Sequence, residues 1–232
     1  MATWLAWRSG KHSIIGMKTC SLERWETLMI NRGWDWGPVL MTCGPWREVR
    51  LETYEARLSD LRVDYEVAHD LKSVKGSISA FVEGSAGKTV EISAWMNDGS
   101  DLVFRDTADI DDNGLAKIDF HVNNPKLWYP HGYGRQFLYD IRATVRNGNV
   151  ELSSINRRTG FRKLELVQER DEIGKSFYFR VNNVDVFCGG SDWIPADSFT
   201  PRMAADRYRK WLQMMVDGYQ VMIRYVLTRI YV

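Results

Sequence analysis

The chain has 232 residues, of which 44% are hydrophobic and 26% charged, and 31 Lys+Arg against 30 Asp+Glu leave a net charge of +1. That is the make-up of a folded globular protein with room for one large domain or two smaller ones. Balanced charge without a basic stripe sets nucleic acid aside as a partner, and no apolar run approaches the length of a membrane span.

Residues 1–32 show neither alternation nor a helical stripe and receive no fold; Ser21 to Asn31 has the make-up of a short helix. The start, Met1-Ala2-Thr3-Trp4-Leu5-Ala6-Trp7-Arg8, lacks a charged segment followed by a long apolar one, so no signal peptide is expected. Cys20, Cys43 and Cys188 are an odd, scattered set without a CxxC, which argues against a disulfide framework. Both features point to an intracellular location.

Next comes Gly33-Trp34-Asp35-Trp36-Gly37-Pro38. Two indoles flank a carboxylate, with a glycine on each side. Aromatic faces pack on the C–H faces of a pyranose while a carboxylate accepts hydrogen bonds from its hydroxyls. A Trp-rich turn that plugs a sheet edge would have the same composition. Trp46 to Glu52 follows as an imperfect strand.

From about Arg57 to Asn156 the pattern is all-β. Leu61, Val63, Tyr65 and Val67 alternate with Arg62, Asp64 and Glu66, the period of a half-buried strand. Ile78, Ala80 and Val82 make a second. Val90, Ile92, Ala94 and Met96 make a third, closed by the turn residues Asn97-Asp98-Gly99. Ile118, Phe120 and Val122 make a fourth. Tyr139, Ile141, Ala143 and Val145 make a fifth, ending at Asn147-Gly148, a strong hairpin signal. Six or seven strands in about a hundred residues predict an immunoglobulin-like sandwich.

Then the pattern changes. Strands over 177–181 and 184–187 flank a two-residue Asn182-Asn183 turn, and the second leads to Gly189-Gly190-Ser191-Asp192-Trp193. Thr200 is placed to cap a helix with Pro201 at its first position. Tyr208, Trp211, Leu212, Met215 and Val216 form one helical face, which Gly218 ends, and Val221-Met222-Ile223 opens another strand. Strand, loop, helix, strand is a βα unit with a parallel sheet.

Three further patterns carry no site. Gly87-Lys88-Thr89 resembles part of a phosphate loop, but Val82 stands where that loop needs glycine. Asp109, Asp111, Asn113 and Gly114 begin like a calcium loop, but its twelfth position is Phe120, so an acidic β-turn is the better reading. His12, His69, His121 and His131 have no metal-ligand spacing, and no metal or other cofactor is expected.

Taken together, Gly33–Pro38, Pro125-Lys126-Leu127-Trp128-Tyr129-Pro130-His131-Gly132-Tyr133-Gly134-Arg135-Gln136, Thr159-Gly160-Phe161-Arg162, Phe179-Arg180-Val181-Asn182-Asn183 and Gly190-Ser191-Asp192-Trp193-Ile194-Pro195-Ala196-Asp197 closely resemble, in order and spacing, the β-mannosidases of glycoside hydrolase family 2. The intracellular-type fungal enzymes look closest. The resemblance covers roughly Gly33 to Arg224 and fades at both ends.

It implies a fold that is mainly β with some α. Residues 33–56 would be the remnant of a jelly-roll domain, 57–156 the immunoglobulin-like sandwich, and 157–232 the start of a truncated (β/α)8 barrel. It implies hydrolysis of terminal, non-reducing β-D-mannose from β-mannosides and manno-oligosaccharides by a retaining double displacement. In such barrels the site lies at the C-terminal ends of the strands. Trp34, Asp35, Trp36, Asp192, Trp193 and Arg224 are then substrate-binding candidates, with Asp192 and Trp193 just past the first strand and Arg224 at the end of the second. Trp128, Tyr129 and Tyr133 read as sandwich-edge packing, and Arg162 as half of an interdomain ion pair.

Retaining hydrolysis needs two carboxyl groups about 5–5.5 Å apart. In the resembling family both catalytic glutamates lie late in the barrel, and no residue here matches either. Glu165, Glu169 and Glu172 belong to a charged, solvated segment. No catalytic residue is therefore assigned, and the chain alone is expected to be inactive, a fragment of a longer enzyme. The alternatives are a non-catalytic carbohydrate-binding or interaction module built on the sandwich, and a family 2 glycosidase of different specificity.

Overall fold

The computed structural model describes residues 4–9, 11–16, 50–84, 88–96, 101–194, 196–197 and 202–225; for 4–9, 11–16, 50–51 and 225 it describes the backbone. The chain divides into two compact units, Met1–Thr53 with Cys188–Val232, and Tyr54–Phe187.

The stretch left without a fold holds two strands, β1 (Trp4–Ser9) and β2 (Lys11–Gly16), paired antiparallel from Trp4↔Gly16 to Ser9↔Lys11. With β3 (Arg50–Tyr54) they make a three-stranded sheet.

The second unit is a seven-stranded sandwich with an appended small sheet. Its strands are β4 (Arg57–Val67), β5 (Ser73–Glu83), β6 (Thr89–Met96), β7 (Asp101–Asp109), β8 (Leu115–Asn123), β9 (Tyr139–Asn147) and β10 (Val150–Thr159). One sheet runs β4-β5-β8 and the other β10-β9-β6-β7, all antiparallel. The alternation explains why. Ala116, Ile118 and Phe120 are buried while Lys117, Asp119 and His121 are exposed, so β8 has one dry face. Register puts Ile78 beside Ile118 and Ile92 beside Ala143, and these inner faces form one core. Phe161, 1% exposed, closes it, its ring centroid 4.5 Å from Tyr139, 5.0 Å from Tyr65 and 5.8 Å from Phe120. Gly76 is required where it stands: a Cβ there would strike the Asp64 carbonyl oxygen and come within 2.8 Å of the Tyr65 Cα.

Tyr139 opens β9, and its hydroxyl accepts from the Lys126 backbone N–H at 2.9 Å and donates back to the Lys126 carbonyl at 3.3 Å. A tyrosine at this place in an immunoglobulin-like sandwich pins the preceding corner. The small sheet runs β11 (Leu164–Val167), β12 (Tyr178–Val181), β13 (Val184–Val186). Its Asn182-Asn183 turn has φ of 49° and 63°, the mirror-image turn that suits a two-residue hairpin.

In the first unit, β14 (Gly190–Trp193) and β15 (Met222–Tyr225) pair parallel and are joined through α1 (Ala205–Asp217). This is a βαβ connection. The helix starts later than the Thr200 cap required. Ala204 occupies the N-cap without a side-chain hydrogen bond, and Thr200 and Pro201 lie outside the described residues. Gly218 caps the C-terminus at φ −83°, and the left-handed residue is Tyr219 at φ 57°. Among the described residues no helix is long and apolar enough to cross a membrane.

Candidate functional site

Asp192 and Trp193 lie within β14 itself, not in a loop past the first strand. The strand is short, and Gly190, Ser191 and Asp192 are all exposed, so no alternation marks it. Gly190 lets β15 approach: a Cβ there would collide with the Met222 carbonyl.

Parallel register sets Asp192 against Arg224. Their side chains close a two-pronged contact, Arg224 Nε to Asp192 Oδ1 at 2.9 Å and Nη2 to Oδ2 at 2.9 Å. Both side chains are more than half exposed. The fork fixes the carboxylate plane and leaves outward lone pairs on Asp192 and further N–H groups on Arg224. An acceptor beside a donor is what a pair of neighbouring hydroxyls requires.

Trp193 is half-buried. Its ring stacks on Tyr208, 6.0 Å between centroids and 24° between planes, and meets Trp211 at 5.7 Å. Those two lie three residues apart on α1, so the helix grips the strand's indole from one side. Arg207 lies over Trp211 at 5.2 Å and donates to Asp197 at 3.1 Å, tying the helix to the loop after β14. The apolar face of α1 is otherwise only partly covered: Tyr208 and Leu212 are 40% and 43% exposed, Met215 and Val216 are half-buried, and no helix residue is buried.

Trp34, Asp35 and Trp36 lie outside the described residues. The structure therefore brings together Asp192, Trp193 and Arg224 of the six candidates.

The other shared motifs converge elsewhere, in the Tyr54–Phe187 unit. Asn182, 2% exposed, donates to the Trp128 carbonyl at 2.9 Å and accepts from the Lys163 N–H at 2.9 Å. Trp128 N–H donates to the Phe161 carbonyl at 2.9 Å, and the Tyr65 hydroxyl donates to the Gly160 carbonyl at 3.0 Å. Gly160 has no room for a side chain against the Trp128 indole. Gly134 is packed likewise on Tyr129, and the Tyr133 hydroxyl accepts from the Phe187 N–H at 2.8 Å. Trp128, Tyr129 and Tyr133 are thus built into the fold. Arg162 departs from the sequence reading: its guanidinium lies 5.0 Å over the Trp128 ring, and among the described residues it forms no ion pair.

Several other polar groups are tied into the fold. Lys163 hydrogen-bonds Glu165 at 2.9 Å and holds its carboxyl below the usual range, the opposite of what a general acid needs. Hydrogen bonds from Arg180 lower the Asp185 carboxyl in the same way. Asp111 Oδ1 accepts from the backbone of Asn113 and Leu115 at 2.9 and 2.8 Å, an Asx turn in the loop that begins like a calcium site. Among the described residues no group of three or more His, Cys, Asp or Glu could hold a metal. Lys88 pairs with Glu55 at 3.0 Å, just before β6 begins at Thr89.

Residues 56–162, the sandwich and its closing Phe161, match the family described as Glycosyl hydrolases family 2. Over 192 residues the chain is 46% identical to Beta-mannosidase B of Aspergillus clavatus, covering 83% of this chain. Beta-mannosidase B of Thermothelomyces thermophilus is also 46% identical, over 195 residues. The crystal structure of a β-D-mannosidase from Dictyoglomus thermophilum superposes with a TM-score of 0.75 at 33% identity, over 84% of this chain and 24% of that one. The fold is shared more widely: a β-glucuronidase from Parabacteroides merdae matches 79% of this chain and 23% of its own, with a TM-score of 0.64 at 19% identity. The chain spans 23% of the length of the Aspergillus clavatus relative and 22% of the Thermothelomyces thermophilus one.

Proposed function

We propose that this chain is part of an exo-acting β-mannosidase that releases terminal, non-reducing β-D-mannose from β-mannosides and manno-oligosaccharides by a retaining double displacement. The observation that carries the reading is the 46–47% identity to fungal proteins named Beta-mannosidase B, extending over 83% of the chain. In this reading residues 33–56 end a jelly-roll domain, 57–156 form the sandwich, and 157–232 open a (β/α)8 barrel. Trp34, Asp35 and Trp36 join Asp192, Trp193 and Arg224 around the mannose. Asp192 and Arg224 supply the paired acceptor and donor for its hydroxyls, and the indoles pack on its C–H faces. The chain supplies walls of the pocket and neither catalytic carboxylate, so by itself it does not turn over substrate.

The test is a chimera in which residues 33–224 replace the matching segment of the Aspergillus clavatus relative. The chimera should hydrolyse p-nitrophenyl β-D-mannoside in preference to the β-galactoside and β-glucuronide, while the 232-residue chain alone should hydrolyse none of them. A folded chimera that prefers another glycoside would overturn the reading.

A further inference from the structure

Asp197 ends the Gly190–Asp197 string, in the loop after β14, and its side chain is far better covered than that of the forked Asp192: 13% exposed against 53%. It carries one arginine on each oxygen. Arg207 Nη1 stands 3.1 Å from Oδ2, and Arg202 Nη1 stands 3.8 Å from Oδ1. Arg202 precedes α1 and Arg207 lies in its first turn, so one carboxylate gathers the entry to the helix. The helix has little else to fix it there. Ala204 at the N-cap makes no side-chain hydrogen bond, and no residue of α1 is buried.

Arg207 has a second contact. Its guanidinium lies 5.2 Å over the Trp211 ring, one turn further along the helix. Trp211 in turn meets Trp193 at 5.7 Å, and Tyr208 stacks on that same indole at 6.0 Å. Contacts therefore run from Asp197 through Arg207 and Trp211 to Trp193, the residue beside Asp192. Trp193 is half-buried and stands outside the hydrophobic core, so core packing does not fix its ring. Its plane is set by the fit against Tyr208 and Trp211, and that fit depends on where α1 sits along β14. An exposed ion pair would add little by itself. A planar guanidinium held by a carboxylate and laid over an indole instead fixes the orientation of both partners.

We propose that Asp197 and Arg207 are positioning residues for the substrate: they touch no sugar, and they hold the Trp193 ring where it receives the mannose. The proposal rests on the reading of Trp193 as a mannose platform. Tyr208, stacked on one face of the indole, leaves the opposite face for a pyranose. Stacking acts on bound substrate and transition state alike, so a displaced platform raises KM and leaves kcat nearly unchanged.

Two readouts test this. In the 232-residue chain, Asp197→Asn should change the near-ultraviolet circular dichroism, because an indole coupled to a neighbouring tyrosine and tryptophan loses its fixed geometry. The change should vanish in the Trp193→Phe background. In the chimera, Asp197→Asn and Arg207→Lys should each raise KM for p-nitrophenyl β-D-mannoside about three- to tenfold, and neither should raise it further in the Trp193→Ala background. Arg207→Lys keeps the charge and loses the flat stack, and it is the decisive variant if Asp197→Asn fails to fold. Unchanged dichroism, a dichroism change that persists without Trp193, or an equal rise in KM with and without Trp193 would each overturn the proposal. A chimera inactive on β-mannosides, with the dichroism behaving as expected, would sink the glycosidase reading and leave the tie between Asp197 and Trp193 standing.

Discussion

The Asn182 side-chain amide bridges two segments far apart in sequence: its NH2 donates to the Trp128 carbonyl, and its carbonyl oxygen accepts from the Lys163 N–H, each at 2.9 Å. Asn182 also holds φ at 49°, a left-handed conformation that asparagine tolerates better than most residues. Asn182→Gly keeps the turn and deletes both bonds, leaving two backbone groups short of partners. The expected loss is about 2 kcal/mol or more in urea unfolding. Asn183→Gly, at the exposed neighbour that bonds the His69 carbonyl at 2.9 Å, should cost about 1 kcal/mol or less. Equal losses from the two would show that turn geometry, not the buried amide, stabilises the hairpin.

Tyr139 allows a second test, in which pH separates two roles. Burial pushes its hydroxyl above the ordinary value of 10.0, partly offset by the hydrogen bond with Lys126. A phenol that holds its proton more tightly when folded stabilises the fold at pH values below its unfolded pKa. That contribution is lost as pH rises through the folded value, because the unfolded chain then binds fewer protons than the native one. Alkaline unfolding should therefore begin above about pH 10. Tyr139→Phe should lower stability at pH 7 by about 1–2 kcal/mol through the unpaired Lys126 groups, and it should flatten the alkaline slope. A variant with an unchanged slope would assign the alkaline transition to other groups.

What the sequence made legible, and what it did not, follows from where one face of an element is dry. β4, β8 and β9 alternate because their inner faces enter the core, and their apolar residues are the buried ones. β7 had no such signature. It is an edge strand with most of its residues exposed or half-exposed, and Asp101-Leu102-Val103-Phe104-Arg105-Asp106 shows no period of two. β14 was read as a loop for a related reason, since a four-residue strand with three exposed residues carries no periodicity. The Asn182-Asn183 turn was legible from its chemistry alone. The Asn182 bridge was not, because its partners stand 54 and 19 residues away. The same holds for the Asp192–Arg224 fork: each residue stood out separately as a candidate, but their contact depends on parallel register across 32 residues.

That fork yields a third prediction, with opposite outcomes for folding and activity. Both side chains are well exposed, so the ion pair adds little to the stability of the chain, about 1 kcal/mol at most. A double-mutant cycle with Asp192→Asn and Arg224→Gln, read by thermal unfolding, should show a small coupling. In the chimera the same substitutions should reduce kcat/KM roughly ten- to a hundredfold, the cost of a charge-assisted contact of about 1.5–3 kcal/mol. Strong coupling in unfolding with unaltered kinetics would assign the pair to the strand pairing of β14 and β15 and remove it from the pocket.

The last prediction concerns Asp35, between Trp34 and Trp36, and it is also read in the chimera. If Asp35 accepts hydrogen bonds from mannose hydroxyls, Asp35→Ala removes a charged acceptor from a pocket that substrate desolvates. A contact of that kind contributes on the order of 1.5–3 kcal/mol, or roughly ten- to a hundredfold in kcat/KM. The melting temperature should change little, because a carboxylate that faces substrate is not one the fold needs. A packing role for the Trp-Asp-Trp string reverses both expectations: the melting temperature falls, and the enzyme that remains folded keeps near-normal kinetics. Trp34→Phe, which keeps an aromatic face of smaller area, sharpens the contrast. As a sugar platform it should lose activity in part, through KM more than kcat, since stacking acts on bound substrate and transition state alike. As a structural plug it should lower the melting temperature of the chimera with no change in KM.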